Sequence, residues 1–447
     1  MANRFEPTSP WSRRDWLLAL ILLLAVFLVY TPVRFAGFIW DDDVVLTGNP
    51  VIVGPLGLKD IWTSHAADIC PLTLTSFWCE HQLWSFDPLP YHLVTLALHM
   101  ACALLLWRVL LALEIPGAWL GAALWALHPV QVETVAWITE MKNTQSTAFY
   151  LLAILFYIRW LKNRTHETSY ALTLLCATLA MASKSSTIVL PIALGLSAWW
   201  IEGRWQWRNL TRLAPFALMA IIPSALTLWT QKLRGQGPDE LLWARTWPER
   251  VATAGDAIWF YLGKLIWPHP LLFTYPRWQV DASSVLSYVP LVAAIALLFL
   301  LWKIRATWAR PTFFAYTYFI GALLPVLGFI DGYFWRYSLV GDHFQYLASM
   351  GPLALAGAGL TRFADVVLSD KTMIQSRLAA LLLLGLAMLS WQRAWVFESH
   401  ETLWTDTLAH NPGSWMAHNN LGDFYLSQGQ LDRAREQYKN ALQINPR

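Results

Sequence analysis

The sequence predicts an all-α protein: a polytopic transmembrane helical bundle followed by a small C-terminal module of repeated helices. Three observations predict it. Of 447 residues, 56% are hydrophobic and only 14% charged, whereas an ordinary soluble domain is about 25% charged. Apolar runs of about 17 to 25 residues, the length that crosses a bilayer, recur along most of the chain. Near the C-terminus Pro412 precedes Pro446 by 34 residues, the period of a helical-hairpin repeat. The net charge of +3 is too small, and the basic residues too scattered, for a nucleic-acid partner. They report topology instead.

The first apolar run, Trp16 to Val33, follows Arg4, Arg13 and Arg14, lacks a small-residue cleavage site, and continues into Phe38 and Trp40. It reads as an uncleaved signal anchor. Further spans are expected near 91–113, 117–138, 145–161, 169–183, 186–201, 212–230, 286–302, 312–330, 345–361 and 377–394, eleven crossings in all. The clusters Arg159/Lys162/Arg164, Arg204/Arg208/Arg212, Lys303/Arg305/Arg310 and Arg362/Lys371/Arg377 then share the cytoplasmic side. This requires that Val251 to Trp267 not cross. Interrupted by Asp256 and Lys264 and followed by Trp267-Pro268-His269-Pro270, it suits an interfacial or re-entrant helix. The long loops 34–90, 231–285 and 331–344 and the C-terminal tail fall on the exoplasmic side, and any chemistry with them.

From Trp415, the residues Leu421-Gly422, Tyr425, Ala434, Tyr438, Ala441 and Pro446 fall at the spacings of one tetratricopeptide repeat. Glu401 to His410 reads as the second helix of a truncated earlier repeat. Because about three repeats are normally needed for stability, this module is expected to dock on the exoplasmic loops or on a partner. The alternative is a generic helical hairpin. We place the domain boundary between 1–395 and 396–447.

Three adjacent carboxylates, Asp41, Asp42 and Asp43, follow the first span. Ionisable residues at a bilayer edge are costly and mark function or a water boundary. Glu133 and Glu140 add carboxylates near the end of the third span, and Glu133, flanked by apolar turns, needs a partner. Lys142, Lys184, Arg336 and His343 supply cationic groups at outer span ends. A carboxylate, cations for phosphate and an apolar groove are what an enzyme needs to use a lipid-phosphate donor. Lys184 equally suits snorkelling to headgroups. His92 and His99, seven residues apart, read as packed core histidines rather than metal ligands, since no third ligand follows at a fixed spacing. Cys70 and Cys79 share a loop and read as free thiols, with a disulfide as the alternative. The 28 tryptophans form mainly interfacial belts, although Trp40 and Trp335 lie where they could stack on a sugar.

The blocks Phe38-Ile39-Trp40-Asp41-Asp42, Asn49-Pro50, Pro71-Leu72-Thr73 with Trp78, Tyr91-His92 with His99, Leu127-His128-Pro129 with Glu133 to Trp137, Ser183-Lys184, and Tyr337-Ser338 with Asp342-His343 to Ser349, followed by tetratricopeptide sequence, resemble the TMTC family. These are membrane O-mannosyltransferase-like proteins of the GT-C class, and the chain is similar to their shorter bacterial relatives over about residues 15 to 447. The resemblance implies a GT-C bundle whose first exoplasmic loop carries a catalytic acidic pair and whose donor is a polyprenyl-phosphate-linked sugar. Asp41 and Asp42 match that pair, Asp41 as the base and Asp42 orienting it or holding a cation, Mg or Mn. Glu133 matches the second-loop glutamate. Lys184 and His343 match polar positions near the donor phosphate, with Lys142 and Arg336 as further phosphate ligands and Asp43, His128 and Asp342 as secondary candidates. The chain departs from the pattern at Met141, where relatives tend to carry Arg, at Ile69-Cys70 and at Gly341.

The expected function is an integral membrane glycosyltransferase in the bacterial inner membrane. It would transfer one sugar, mannose by likeness, with inversion, to a hydroxyl acceptor such as protein Ser or Thr recruited by the tetratricopeptide module. The rival classes are a non-catalytic assembly factor, which would tolerate loss of Asp41 and Asp42, and a lipid-linked-sugar transporter. The one-sided charges and lack of a visible internal repeat disfavour the transporter.

Overall fold

The structure is a computed structural model, and it describes residues 11–54, 56–64, 70–235, 244–329, 333–368 and 372–446. Every regular element among these residues is helical. The bundle begins with α1 (Arg13–Val29), opened by a capping box in which Ser12 and Asp15 each satisfy the other's backbone N–H. The first loop then carries α2 (Gly57–Thr63) and α3 (Pro71–Trp84) before α4 (Pro88–Ala112). There follow α5 (Ala118–Ala126), α6 (Val132–Ala136), α7 (Met141–Lys162), α8 (Glu167–Ser183), α9 (Leu190–Glu202) and α10 (Arg208–Gly235). The second half holds α11 (Trp247–Ile266), α12 (Val289–Lys303), α13 (Arg310–Leu323), α14 (Met350–Val367) and α15 (Thr372–Ala394). The C-terminal module is α16 (His400–His410), α17 (Trp415–Ser427) and α18 (Leu431–Ile444).

Five helices among the described residues are long and apolar enough to cross a membrane: Pro88–Ala112, Ser185–Glu202, Arg208–Thr230, Val285–Lys303 and Met373–Phe397. The chain is an integral membrane protein. Its core is built around α4, α5, α7 and α14. Helices α5 and α14 meet across glycines, for a Cβ on Gly357 would lie 2.5 Å from the Gly121 nitrogen. Small residues of this kind let membrane helices approach until their backbones touch.

Three expected spans are not single helices, and in two of them a proline marks the break. The segment 117–138 stops as a helix at Ala126 because Pro129 disfavours α geometry at the residue before it. His128 is accordingly extended, at φ −75° and ψ 134°. The chain continues through short turns and the five-residue α6. In 312–330 the helix ends at Leu323, and Pro325 sits in the tighter turn that follows. In 345–361 the helix begins only at Met350, after a turn at Asp342–Gln345. Irregular backbone at membrane depth is tolerated where it is buried in protein or lines a cavity, and two of these breaks carry the candidate site. The segment Val251 to Trp267 lies in α11, which buries Ala252, Ala254, Ala257 and Tyr261 and exposes Trp259 and Ile266.

Basic residues gather at one end of the bundle. Arg164 and Arg212 share the Glu202 carboxylate at 2.7 and 3.2 Å, and Arg310 donates to the Trp200 carbonyl. These groups close the ends of α7, α9, α10 and α13, opposite the candidate site.

The C-terminal module docks on the loops at the site end and on the end of α15. Gly37 N donates to the Glu398 carbonyl (3.3 Å), Asn411 Nδ2 to the Thr274 carbonyl (3.1 Å), and Arg393 pairs with Asp406 at 2.6 Å. Within it, α17 and α18 pack so closely that a Cβ on Gly422 would lie 2.7 Å from the Tyr438 ring.

Candidate active site

The three carboxylates of the first loop have three different fates. Asp42 is fully buried. Its Oδ1 accepts from Thr139 N (2.8 Å) and Thr139 Oγ1 (2.5 Å), and its Oδ2 from Ile39 N (2.9 Å). Burial, only partly offset by these donors, pushes its carboxyl up to about 7. Asp42 is therefore an anchor that ties the first loop to the second. With both oxygens committed inside the protein, it does not fit the expected role of ion ligand. Asp43 is exposed and accepts from Thr47 Oγ1 (3.2 Å). Asp41, which precedes both, is half-buried.

Trp40 sets the direction of that loop. It has φ +46°, a left-handed conformation that costs a side-chain-bearing residue about 1–2 kcal/mol. Its ring is held by neighbours from four other segments: Trp137 at 5.4 Å, Phe273 at 5.2 Å, Phe334 and Tyr337 at 6.3 and 5.9 Å, and Trp404 at 6.3 Å between centroids.

Glu140 is the centre of the cationic side. Lys142 Nζ lies 2.8 Å from its Oε1 and Lys184 Nζ 3.4 Å from its Oε2, while Asn143 Nδ2 donates to Oε2 (2.5 Å). Lys184 also donates to Asn143 Oδ1 (2.6 Å). Burial alone would raise the Glu140 carboxyl, but Lys142, Lys184 and His343 outweigh it and hold the group well below the usual range. Burial lowers the Lys184 ammonium. Lys142 keeps 26% of its side chain exposed and lies within electrostatic range of Asp41 and Cys70. The base candidate of the first loop is thus linked electrostatically to Lys142, which shares Glu140 with Lys184.

A second polar pair supports the first. Glu133 Oε1 accepts from His343 Nδ1 (2.7 Å) and Oε2 from Asp342 N (3.1 Å), both fixed by the buried turn before α14. Asn143 Nδ2 reaches the His343 carbonyl (3.1 Å) and so joins the two pairs. Tyr275 donates to Asp342 (3.0 Å), whose carboxyl is raised by burial and by the neighbouring Glu133. Since both its oxygens are occupied, Glu133 has the geometry of a positioning group.

Two predicted residues lie elsewhere. His128 accepts from Val130 N and pairs with the Leu265 carbonyl at 3.1 Å, fastening the broken span to the end of α11. Arg336 stacks over Tyr337 and Trp415, at 5.2 and 5.5 Å, against the C-terminal module. His99 is a packed core residue bonded to Tyr346 and the Ala126 carbonyl. None of the four cysteines, all among the described residues, is in a disulfide. Among the described residues no group of three or more His, Cys, Asp or Glu side chains is gathered as for a metal. Sequence reasoning missed Thr139, Asn143 and Tyr275. The polar run Thr139 to Thr144 at the head of an apolar span was the signal for the first two, whereas Tyr275 sits in a loop without one.

Residues 415–447 match the tetratricopeptide repeat model. Protein O-mannosyl-transferase Tmtc1 of Drosophila melanogaster is 31% identical over 184 residues, covering 38% of this chain and 21% of that protein. Human protein O-mannosyl-transferase TMTC1 is 24% identical over an alignment covering 92% of this chain and 53% of its own length. The chain thus spans about a fifth to about a half of these relatives. Among solved structures, ArnT from Cupriavidus metallidurans bound to undecaprenyl phosphate aligns with 97% of the chain at 12% identity and TM-score 0.40. The chain resembles the TMTC protein O-mannosyl-transferases in sequence, and it ends in a tetratricopeptide repeat.

Proposed function

We propose that the protein is an inverting glycosyltransferase of GT-C type that moves one sugar, mannose by its likeness to the O-mannosyl-transferases, from a polyprenyl-phosphate carrier to a protein hydroxyl on the exoplasmic face. The observation that carries this reading is the pairing of Lys142 and Lys184, from two loops distant in sequence, on the Glu140 carboxylate, with Asp41 of the first loop within electrostatic range of Lys142. The acceptor oxygen attacks the anomeric carbon and its proton passes to Asp41. The bond from that carbon to the phosphate oxygen breaks, and the polyprenyl phosphate leaves onto the two ammonium groups. A single displacement inverts the anomeric configuration. Asp42 holds the loop, and Glu133 with His343 holds the turn that faces it. The basic end of the bundle, formed where the ends of α7, α9, α10 and α13 converge, supports a topology with that end in the cytoplasm.

The test is incorporation of radiolabelled sugar from a panel of polyprenyl-phosphate sugars by the purified protein in lipid, with a Ser/Thr peptide as acceptor and with and without EDTA. Donor-dependent labelling is expected, and the EDTA arm decides whether Mg or Mn takes part. No transfer from any donor to a peptide shown to bind would move the protein to the scaffold class.

A further inference from the structure

We propose that the cleft between the C-terminal module and the loops binds the acceptor polypeptide and selects one with acidic residues beside its accepting hydroxyl. This rests on the glycosyl-transfer reading above. The cleft has a volume of about 290 Å³, room for on the order of ten water molecules and more than one carboxylate needs. Its walls come from both parts of the chain. Arg277, Arg336 and Tyr337 belong to the loops, while Asn411, Trp415 and Asn445 belong to the module.

These side chains match a polar extended peptide. Two guanidinium groups suit carboxylates, which they can bind through paired hydrogen bonds. The carboxamides of Asn411 and Asn445 each carry a donor and an acceptor, as a peptide group does, and Asn411 is fixed in place by its bond to the Thr274 carbonyl. Trp415 and Tyr337 stand 5.5 Å apart between ring centroids, tilted by 46°, with the Arg336 guanidinium over both, and form an aromatic wall. That wall leads to the candidate active site. The Tyr337 ring is also 5.9 Å from that of Trp40, the residue before Asp41, so the cleft wall continues to the loop that carries the candidate base. A lipid headgroup would share the preference for guanidinium but not the need for carboxamides from a module seated over the loops.

Fluorescence anisotropy of labelled peptides with the full-length protein in phosphatidylcholine nanodiscs, without donor, tests this. The probes are a 12-residue Ser/Thr peptide flanked by Glu and the same peptide flanked by Lys. The Glu peptide is expected to bind about tenfold more tightly, with a preference that weakens with salt, and Arg277→Glu is expected to abolish or reverse it. Trp415→Ala should weaken both peptides. Equal binding of the two peptides, or an unchanged preference in Arg277→Glu, would overturn the proposal. So would displacement of the Glu peptide by vesicles of anionic lipid with retention of binding in Arg277→Glu, which would assign the cations to headgroups. Because donor is absent, this result stands apart from transfer: peptide selection without sugar transfer would refute the catalytic reading and leave the cleft, and transfer without selection would do the reverse.

Discussion

The indole of Trp404, in the first helix of the C-terminal module, stands edge-on to the indole of Trp40 with 6.3 Å between centroids. Trp404 is completely buried, and Trp40 precedes the candidate base. The module is thus part of the wall that holds Asp41 in position. Trp404→Ala should lower sugar transfer by about 10- to 100-fold, since misplacement by an ångström can cost that much. Binding of polyprenyl phosphate should be unchanged, and Trp404→Phe should recover most of the rate. Transfer and donor binding measured side by side check this.

Glu140 neutralises two ammonium groups in a mostly buried site. Glu140→Gln leaves them facing each other, and removing one partner of a buried ion pair costs about 3–5 kcal/mol. The lower end is expected here because Lys142 is partly exposed. Thermal unfolding in detergent should show a clear drop, and adding Lys184→Met to Glu140→Gln should restore part of it. A double variant no better than the single would contradict the assigned pairing.

Asp42 gives a pH dependence with a definite sign. Its carboxyl titrates near 7 in the folded protein against 3.8 ordinarily, so between these values the folded state binds a proton that the unfolded chain has lost. Stability therefore falls as pH rises through this window and levels off above it. Asp42→Asn should flatten that part of the profile. Melting temperatures at pH 4.5 and 7.5 should differ less in the variant than in the wild type.

The contact of α5 with α14 makes a structural prediction. Gly357→Leu places a side chain where even a Cβ would meet the Gly121 backbone, whereas Gly359, two residues on, has open space around it. The first substitution should destabilise by about 1–3 kcal/mol or more, and Gly359→Ala should be close to neutral. Thermal unfolding of the pair provides its own control.

Much of the bundle was legible because an apolar run has only one way to satisfy its backbone in lipid. The five described helices long and apolar enough to cross a membrane coincide with the expected runs near 91–113, 186–201, 212–230, 286–302 and 377–394. The failures lie where hydrophobicity persists while the backbone breaks. Pro129 and Pro325 interrupt expected spans that composition alone leaves continuous. In the site, the residue types were legible but not their division of labour. Asp41 and Asp42 are equivalent in sequence, and only the donors of Thr139 and Ile39 separate the anchored carboxylate from the half-buried one. Arg336 carries the right charge for a phosphate, but its ring partners set it against the module, and no local pattern encodes such long-range packing.

In the proposed mechanism Asp41 activates the acceptor while Lys142 and Lys184 hold the phosphate. The most direct measurement compares polyprenyl-phosphate binding and sugar transfer in wild type, Asp41→Asn and the double variant Lys142→Ala/Lys184→Ala. Loss of a general base typically costs about 10²- to 10⁴-fold. Asp41→Asn should therefore bind the carrier normally and transfer at least 100-fold more slowly, and the double variant should lose binding. Wild-type transfer by Asp41→Asn, or undiminished binding by the double variant, would contradict the account.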